Sequence, residues 1–516
     1  MFVELHILQN FAPSNLNRDD TNAPKDCEFG GFRRARISSQ CIKRSVRFHP
    51  EMRRLEENAP IGFRSKYQQR ELVKALEGLK KSRREADAVA SFVFRRVGFK
   101  QKGEKTSVLL FMGRDEISRI AELVVESWDD LIRVADVDQL WEDCARKIEG
   151  LIADSDDPGS ASHAELLSRL IVDFVAGKKV NGKKLRSLNA LSPEQLAPLI
   201  DAIANASDQQ IGKLDESLSS DEETDADEEA ETEKVPEAAR KAFKKVASVI
   251  SAIKELPEAE VDEDVGDDAD ASDRIKKSVA KVVKGFREAG STAVDIALFG
   301  RMVAEVKKGT MNTDAASQVA HAISTNKVEM EFDFYTAVDD LQESEETGAG
   351  MMGTVEFNSS CFYRYANVDL GQLLSNLGGD QELAERTVAA FLRASIQAIP
   401  TGKQNSMAAQ NQPSFVLAVV RDSGLWSLAN AFVKPVWPKR GDDLVTASIT
   451  RLDTFWQQMA DNYGVAGIRQ KSVFALSDEG LTHLKGDRAK AEGESSALDV
   501  LVNQVVSAIQ TEGSPS

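Results

Sequence analysis

The residues of this chain best suited to chemistry lie between Gly30 and Arg47. The run Gly30-Gly31-Phe32-Arg33-Arg34-Ala35-Arg36-Ile37-Ser38-Ser39-Gln40-Cys41-Ile42-Lys43-Arg44-Ser45-Val46-Arg47 holds six basic residues and no acidic one, in a protein of formal net charge -18. So sharp a reversal of sign marks a site for a polyanion. The Gly pair permits close backbone approach. Ser38 or Ser39 can cap a helix that begins near Gln40, and Pro50 lies beyond its end. On that helix Gln40, Lys43 and Arg47 share a face at i, i+3 and i+7, while Ile42 and Val46 point elsewhere and can pack. Free N–H groups at a helix start, flanked by Ser and Arg, suit a phosphate. With Arg18 and Lys25 upstream, the candidate backbone-binding set is Arg18, Lys25, Arg33, Arg34, Arg36, Ser38, Ser39, Gln40, Lys43, Arg44 and Arg47. Such contacts hold a nucleic-acid backbone without reading bases. The competing reading is a solvated basic helix.

A second basic stripe is Lys277, Lys281 and Lys284, at i, i+4 and i+7, opposite Val279, Val282 and Phe286. It suits non-specific contact with DNA, or else a solvated face beside an acidic tract. Catalysis is the main rival to binding. Asp19/Asp20, Asp26 and Asp339/Asp340 are the carboxylates a metal-dependent nuclease could use, but no further motif visibly converges on them. No P-loop, GxGxxG or HExxH occurs. The four cysteines show no CxxC spacing and the five histidines no paired ligand spacing, so neither a disulfide framework nor a zinc site is expected. No cofactor is expected.

These residues need a scaffold. Residues 2–8 alternate as a strand, with Val3, Leu5 and Ile7 on one side and Glu4 and His6 on the other. Residues 11–32 read as a long polar loop. From 51 to 290 the periodicity is helical, as in Ile117-Ile120-Leu123-Val124, and strand-like alternation is nearly absent. Val328–Tyr335 alternates, Gly348–Gly353 is a glycine-rich tip and Thr354–Phe357 can return, which together predict a β-hairpin. Strands are expected at 360–369 and 414–421, helices near 379–398, 425–434 and 446–462, and a fraying tail over 486–516. The pattern is α+β.

At 516 residues the chain can bury a large core. It shows no span long and apolar enough for a bilayer and no signal-peptide pattern at Met1–His6, so a cytoplasmic location is expected. The acidity is local. Residues 215–233 and 255–273 hold 21 of the 83 acidic residues, leaving 62 against 65 basic. The tracts 215–235 and 258–273 read as disordered, with an amphipathic helix at 239–256 between them.

Ser14–Asp20, Phe29-Gly30-Gly31, Tyr335–Gln342, Phe362–Val368, Asp295–Leu298, Gly300-Arg301-Met302 and Ala429–Phe432 together resemble the CasC family. CasC is the backbone subunit of the type I-E CRISPR surveillance complex, Cascade. The resemblance covers roughly 1–50 and 290–475. It implies an RRM-like (ferredoxin-like) palm from 1–50, 290–327 and 362–485, with a helical finger insertion over 51–289 and a β-hairpin thumb over 328–361. It implies a non-catalytic protein that stacks head to tail along crRNA, an open heterologous assembly. Implied partners are crRNA, target DNA, further copies of the chain, and the cap, repeat-endonuclease, large and small subunits. The segment Ser38–Arg47 would grip the guide. Phe334, Tyr335, Met351 and Met352 would act from the thumb and Met302 as a wedge between bases. Lys403 and Gln404 would sit in a loop facing nucleic acid. Distantly related type III backbone subunits cut RNA with a loop aspartate, which keeps metal-dependent RNA cleavage as the alternative.

Overall fold

The computed structural model describes residues 1–102, 104–132, 135, 271–303, 306, 311–337 and 351–510. The acidic tract 215–235, most of 258–273, the helix expected at 239–256, the tip residues 348–350 and Asp339/Asp340 lie outside the described residues.

In chain order the strands are β1 (Phe2–Ser14), β2 (Asp26–Phe29), β3 (Phe32–Ile37), β4 (Gly62–Ser65), β5 (Gln101–Lys102), β6 (Lys105–Thr106), β7 (Leu110–Gly113), β8 (Ser317–Val319), β9 (Ala322–Ser324), β10 (Glu331–Ala337), β11 (Met351–Asp369), β12 (Phe415–Arg421) and β13 (Ile468–Ala475). The helices are α1 (Ser39–Arg47), α2 (Pro50–Arg54), α3 (Gln68–Gly78), α4 (Arg83–Val97), α5 (Arg114–Glu126), α6 (Ala271–Glu288), α7 (Val294–Phe299), α8 (Leu370–Asn376), α9 (Gln381–Gln397), α10 (Gln404–Met407), α11 (Leu444–Tyr463) and α12 (Ala497–Gln510).

The main sheet runs β13-β12-β1-β11-β9-β3-β2, with β8 and β10 also paired to β11. Every pairing is antiparallel. Strand β1 lies between β12 and the central strand β11 and is buried on both faces. Val3, Leu5 and Ile7 pack on one side with Ile42 and Val46 of α1, Val388 and Phe391 of α9 and Leu501 of α12. Leu8 lies on the other with Phe415, Leu417 and Ile449, Leu452 and Trp456 of α11. A second core joins α3, α4, α5 and α6 through Leu76, Phe94, Ile120, Val282 and Phe286.

The structure departs from the sequence reading in several places. The stretch expected as a loop over 11–32 contains the end of β1, where it follows its long partner β11 as far as Ser14, and then β2 and the turn into β3. The return of the long hairpin and the strand at 360–369 are one 19-residue strand, β11. The helical segment after Pro50 also carries β4–β7 and β5–β6, strands of two to four residues, too short for a period to register. The expected tail instead forms α12, whose Leu501, Val502, Val505 and Ile509 are buried against the sheet and α9. Near 425–434 only a 3-10 turn forms, Leu428–Phe432, capped by Ser427.

The buried side of β1 also carries charge. Glu4 forms an ion pair with Arg421 at 3.0 Å. The Tyr363 hydroxyl accepts from the Leu428 N–H and lies 2.9 Å from His6 Nδ1. Burial, aided by Arg421, pushes the His6 pKa down to about 3. An unfolded histidine titrates near pH 6.5, so between there and pH 3 the unfolded chain binds a proton that the native state refuses. Stability from this site is therefore lost as pH falls through that window, by up to about 1.4 kcal/mol per unit. Urea unfolding across pH 3–7 should show this slope, and His6→Asn should reduce it by about one proton. Truncating α12 packing with Leu501→Ala should cost about 2–5 kcal/mol in the same assay.

Candidate nucleic-acid interface

Strands β2 and β3 pair Phe29 with Phe32, which leaves Gly30-Gly31 as a two-residue turn with φ of +63° and +80°. Two positive φ values are the signature of a tight hairpin turn. A Cβ on Gly30 would sit 2.1 Å from the Val433 carbonyl oxygen, so only glycine fits. Beneath the turn Arg34 is 0% exposed. Its Nη1 donates to the Ser324 and Thr325 carbonyls at 2.9 Å, and its Nη2 to Phe432 at 2.7 Å and Val433 at 3.1 Å. Burial pushes its pKa down. Arg34 thus joins the hairpin to β9 and to the 428–433 turn, and is withdrawn from any nucleic acid or neighbouring subunit. Arg33 stays exposed and pairs with Asp26. Arg36 donates to the Asp26 carbonyl and meets His321 Nδ1 at 3.2 Å.

Helix α1 starts where expected. The Ser38 hydroxyl accepts from the Cys41 N–H at 3.3 Å, and the Ser38 N–H donates to Asn17 Oδ1 at 2.8 Å. That capping role occupies Ser38, which is itself buried. The Ser39 N–H donates to His321 Nδ1 at 3.3 Å. Gln40 is exposed and Lys43 half-buried, its ammonium 5.7 Å from the Phe299 ring centre. Burial, with Arg64 nearby, pushes the Lys43 pKa down.

Arg47 shares the Gln40–Lys43 face but not its exposure. Its side chain is 7% exposed and donates through Nε and Nη2 to Asp295 Oδ2 at 3.0 and 2.9 Å. The other Asp295 oxygen accepts from the Gly62 N–H at 2.7 Å. The Arg47 and Arg64 guanidiniums lie 4.3 and 4.6 Å from the Phe111 ring centre. Helical period places Arg47 correctly. The return of the insertion through β4, β7 and α7 then encloses it, so it is an interior strut and not an RNA contact.

Around α1, Arg18 is exposed and bonds Asn22 Oδ1 at 3.3 Å. Asp19 Oδ1 accepts from Thr21 N, Thr21 Oγ1 and Ala23 N, which pins the loop. Lys25 is half-buried beside it. Gln404 is a loop brace: its amide donates to the Pro400 and Ala409 carbonyls at 3.0 and 3.1 Å. Lys403 precedes it in a left-handed conformation, φ +52°.

The long hairpin is apolar and exposed. Phe334 is 65% and Met352 66% exposed, and Met351, Tyr335 and Phe332 are exposed as well. Pairing sets Thr336 opposite Met352 and Phe334 opposite Thr354, so Phe332, Phe334 and Met352 share a face; Tyr335 and Met351 share the other. Phe332 joins the residues expected from sequence, and the same alternation marks it. Met302 is 84% exposed. Arg301 beneath it is buried, its Nη1 bonding Glu116 Oε1 and Oε2 at 2.8 and 2.7 Å and its Nε the Met311 carbonyl at 2.6 Å. Glu116, on α5, gives no signal in the sequence as the partner of Arg301 because it lies 185 positions away along the chain. On α6, Lys281 pairs with Glu126 at 2.8 Å, and Val279, Val282 and Phe286 are buried as expected. Lys277 lies half-buried and Lys284 exposed on the same helix. Among the described residues no three His, Cys, Asp or Glu side chains gather as a metal site, and no helix is long and apolar enough to cross a membrane.

This is a mixed α/β protein whose antiparallel sheet carries a basic helix at one end and an apolar hairpin extending from its central strand. Residues 3–174 and 177–504 match the family model described as CT1975-like protein. The chain belongs to that family. Two solved structures share its fold. One, a chain titled "CRISPR RNA-guided surveillance complex, pre-nicking", is 24% identical with a TM-score of 0.58, over 98% of this chain and 100% of that one. Another, titled "CRISPR RNA-guided surveillance complex", is 20% identical with a TM-score of 0.51 over the same shares. No curated protein matches.

Removing the strut beside α1 gives a direct test of its role. Asp295→Ala leaves Arg47 buried without its carboxylate and should cost about 3–5 kcal/mol in urea unfolding. Arg44→Ala, on the exposed side of the helix, should stay within about 0.5 kcal/mol of wild type.

Proposed function

We propose that this protein is a non-catalytic backbone subunit of a CRISPR RNA-guided surveillance complex, of the CasC kind in a type I-E Cascade. It would grip crRNA by its backbone while guide–target pairing supplies sequence discrimination. The observation that carries this reading is a juxtaposition. Ser39 on α1 and Arg36 on β3 both meet His321 Nδ1, Lys25 lies beside Arg36, and Gln40 and Lys43 follow on the same helix, against the sheet from which the exposed Phe334–Met352 hairpin extends. Cations and helix N–H groups hold phosphates. Exposed Met and Phe side chains on the hairpin, and the exposed Met302, suit wedging between bases.

In this reading the main sheet with α1 and α9 is an RRM-like palm, the α3–α6 unit the finger and β10–β11 the thumb, which closes over RNA held by the next copy. Lys277, Lys281 and Lys284 would face target DNA. The cap, repeat-endonuclease, large and small subunits would complete the assembly in the cytoplasm. The alternative, RNA cleavage, finds less support: Asp19 serves its loop, and Asp26 is paired with Arg33.

Fluorescence anisotropy with a guide-length RNA tests the grip. Gln40→Ala with Lys43→Glu should weaken binding at least about tenfold and flatten the log–log salt dependence by about 0.7 for each phosphate no longer held. Its melting temperature should be unchanged. Binding equal to wild type would remove this face from the site. Mg²⁺-dependent RNA cutting that disappears in Asp26→Ala would establish the enzymatic reading instead.

A further inference from the structure

The other face of α1 borders a cavity of about 560 Å³, between the helix, the 16–22 loop and the turn at 398–402. Cys41, Arg44 and Phe48 lie along it at i, i+3 and i+7. Phe48 is 50% exposed. The Arg44 and Arg53 guanidiniums lie 4.8 and 4.7 Å from its ring centre. Among the described residues no carboxylate pairs with Arg44 or with Arg18, which lines the same cavity. Asp19, also at the wall, directs Oδ1 into its own loop. His49 Nδ1 accepts from the Glu51 N–H at 3.3 Å, and burial lowers the pKa of the ring. The wall is preformed: a Cβ on Gly402 would lie 2.3 Å from the Leu16 carbonyl oxygen, so turn and loop pack backbone on backbone.

These features select a ligand class. The volume falls in the range of small-ligand sites, about 300–1,000 Å³. Two guanidiniums without carboxylates call for an anion, and an exposed ring beside them calls for a flat π-system. An acidic peptide would satisfy the arginines but leave Phe48 unused. We propose that this cavity is a nucleotide pocket for single-stranded RNA, in which Phe48 stacks one splayed base while Arg18 and Arg44 hold the adjoining phosphates. The proposal rests on the RNA-binding reading above and adds a base-contacting site on the helix face away from Lys43.

The test uses the full-length chain and oligo(A) RNA in salt-titrated anisotropy. Phe48→Ala should weaken binding about tenfold with an unchanged salt slope, because it removes a stacking surface and leaves every phosphate held. Arg44→Ala should instead lower that slope by about 0.7. Phe48→Trp should restore affinity, and the bound RNA should quench its indole emission, which reports stacking and a folded site together. If Lys43→Glu weakens RNA binding while Phe48→Ala binds as wild type and the Phe48→Trp emission is unmoved, the pocket is overturned and the RNA reading stands. If wild type fails to bind oligo(A), the RNA reading fails and the pocket with it. Polyglutamate displacing RNA from wild type and Phe48→Ala alike, with no tryptophan quenching, would also overturn the pocket in favour of an acidic protein partner.

Discussion

The architecture hangs on one strand. Residues 351–369 form β11, whose second half pairs with β1 in the sheet interior and whose first half pairs with β10 in solvent. A strand cannot slip by one residue without turning every side chain to the opposite face. The register against β1, from Phe2↔Asp369 to Phe11↔Ser360, therefore also fixes which face of the hairpin carries Phe334 and Met352. The exposed rings are not on a freely hinged loop. They are the extension of a strand whose other half is buried in the sheet, which is how an apolar hairpin can be held out in water from a fixed base. Apolar exposure of this kind marks an interaction surface.

Around that strand, arginine serves as the connector. Arg34 satisfies four carbonyl groups at once, Arg47 joins α1 to α7 through Asp295, and Arg301 joins the base of Met302 to α5 through Glu116. The guanidinium can do this because it presents five donors in a rigid fork and stays charged when buried. Lysine could not replace it at Arg34 without leaving carbonyls unpaired. The two ion pairs lie on either side of Phe111, whose ring stacks with Arg47 and whose carbonyl accepts from Arg301 at 3.2 Å. The α3–α6 unit is thereby fastened to the sheet at the point where the exposed Met302 emerges. Position of the insertion and position of Met302 are set by the same buried charges.

That use of arginine explains the limits of reading charge from sequence. The six basic residues between Gly30 and Arg47 are equivalent on sequence alone. Arg34 is covered by residues 324–325 and the 428–433 turn and Arg47 by β4, β7 and α7, so two of the six are interior. Strand alternation sets Arg34 with Phe32 and Arg36, opposite the core residues Ala35 and Ile37, so its burial comes from distant backbone arriving over that face and not from the period of β3. Arg47 is alike. Its partners, Asp295 and Gly62, are brought to it by the tertiary fold. Phe48 gives no signal in the sequence for a similar reason: an aromatic after a helix is ordinary until a cavity opens beside it.

Local sequence determined the elements whose cause is local. The cap at Ser38, the packing of Ile42 and Val46, residues 2–8 of the first strand, the strand Phe415–Arg421 and the helices Gln381–Gln397 and Leu444–Tyr463 follow from side-chain period and capping chemistry. Apolar residues at 501, 502, 505 and 509 also held the signal for the last helix, although terminal position argued for fraying. Tertiary structure alone decided which cations face solvent, that the hairpin and the main sheet share one strand, and that Arg301 meets Glu116 across 185 positions. Burial and ion pairing depend on which distant backbone arrives beside a residue, and periodicity contains no term for that.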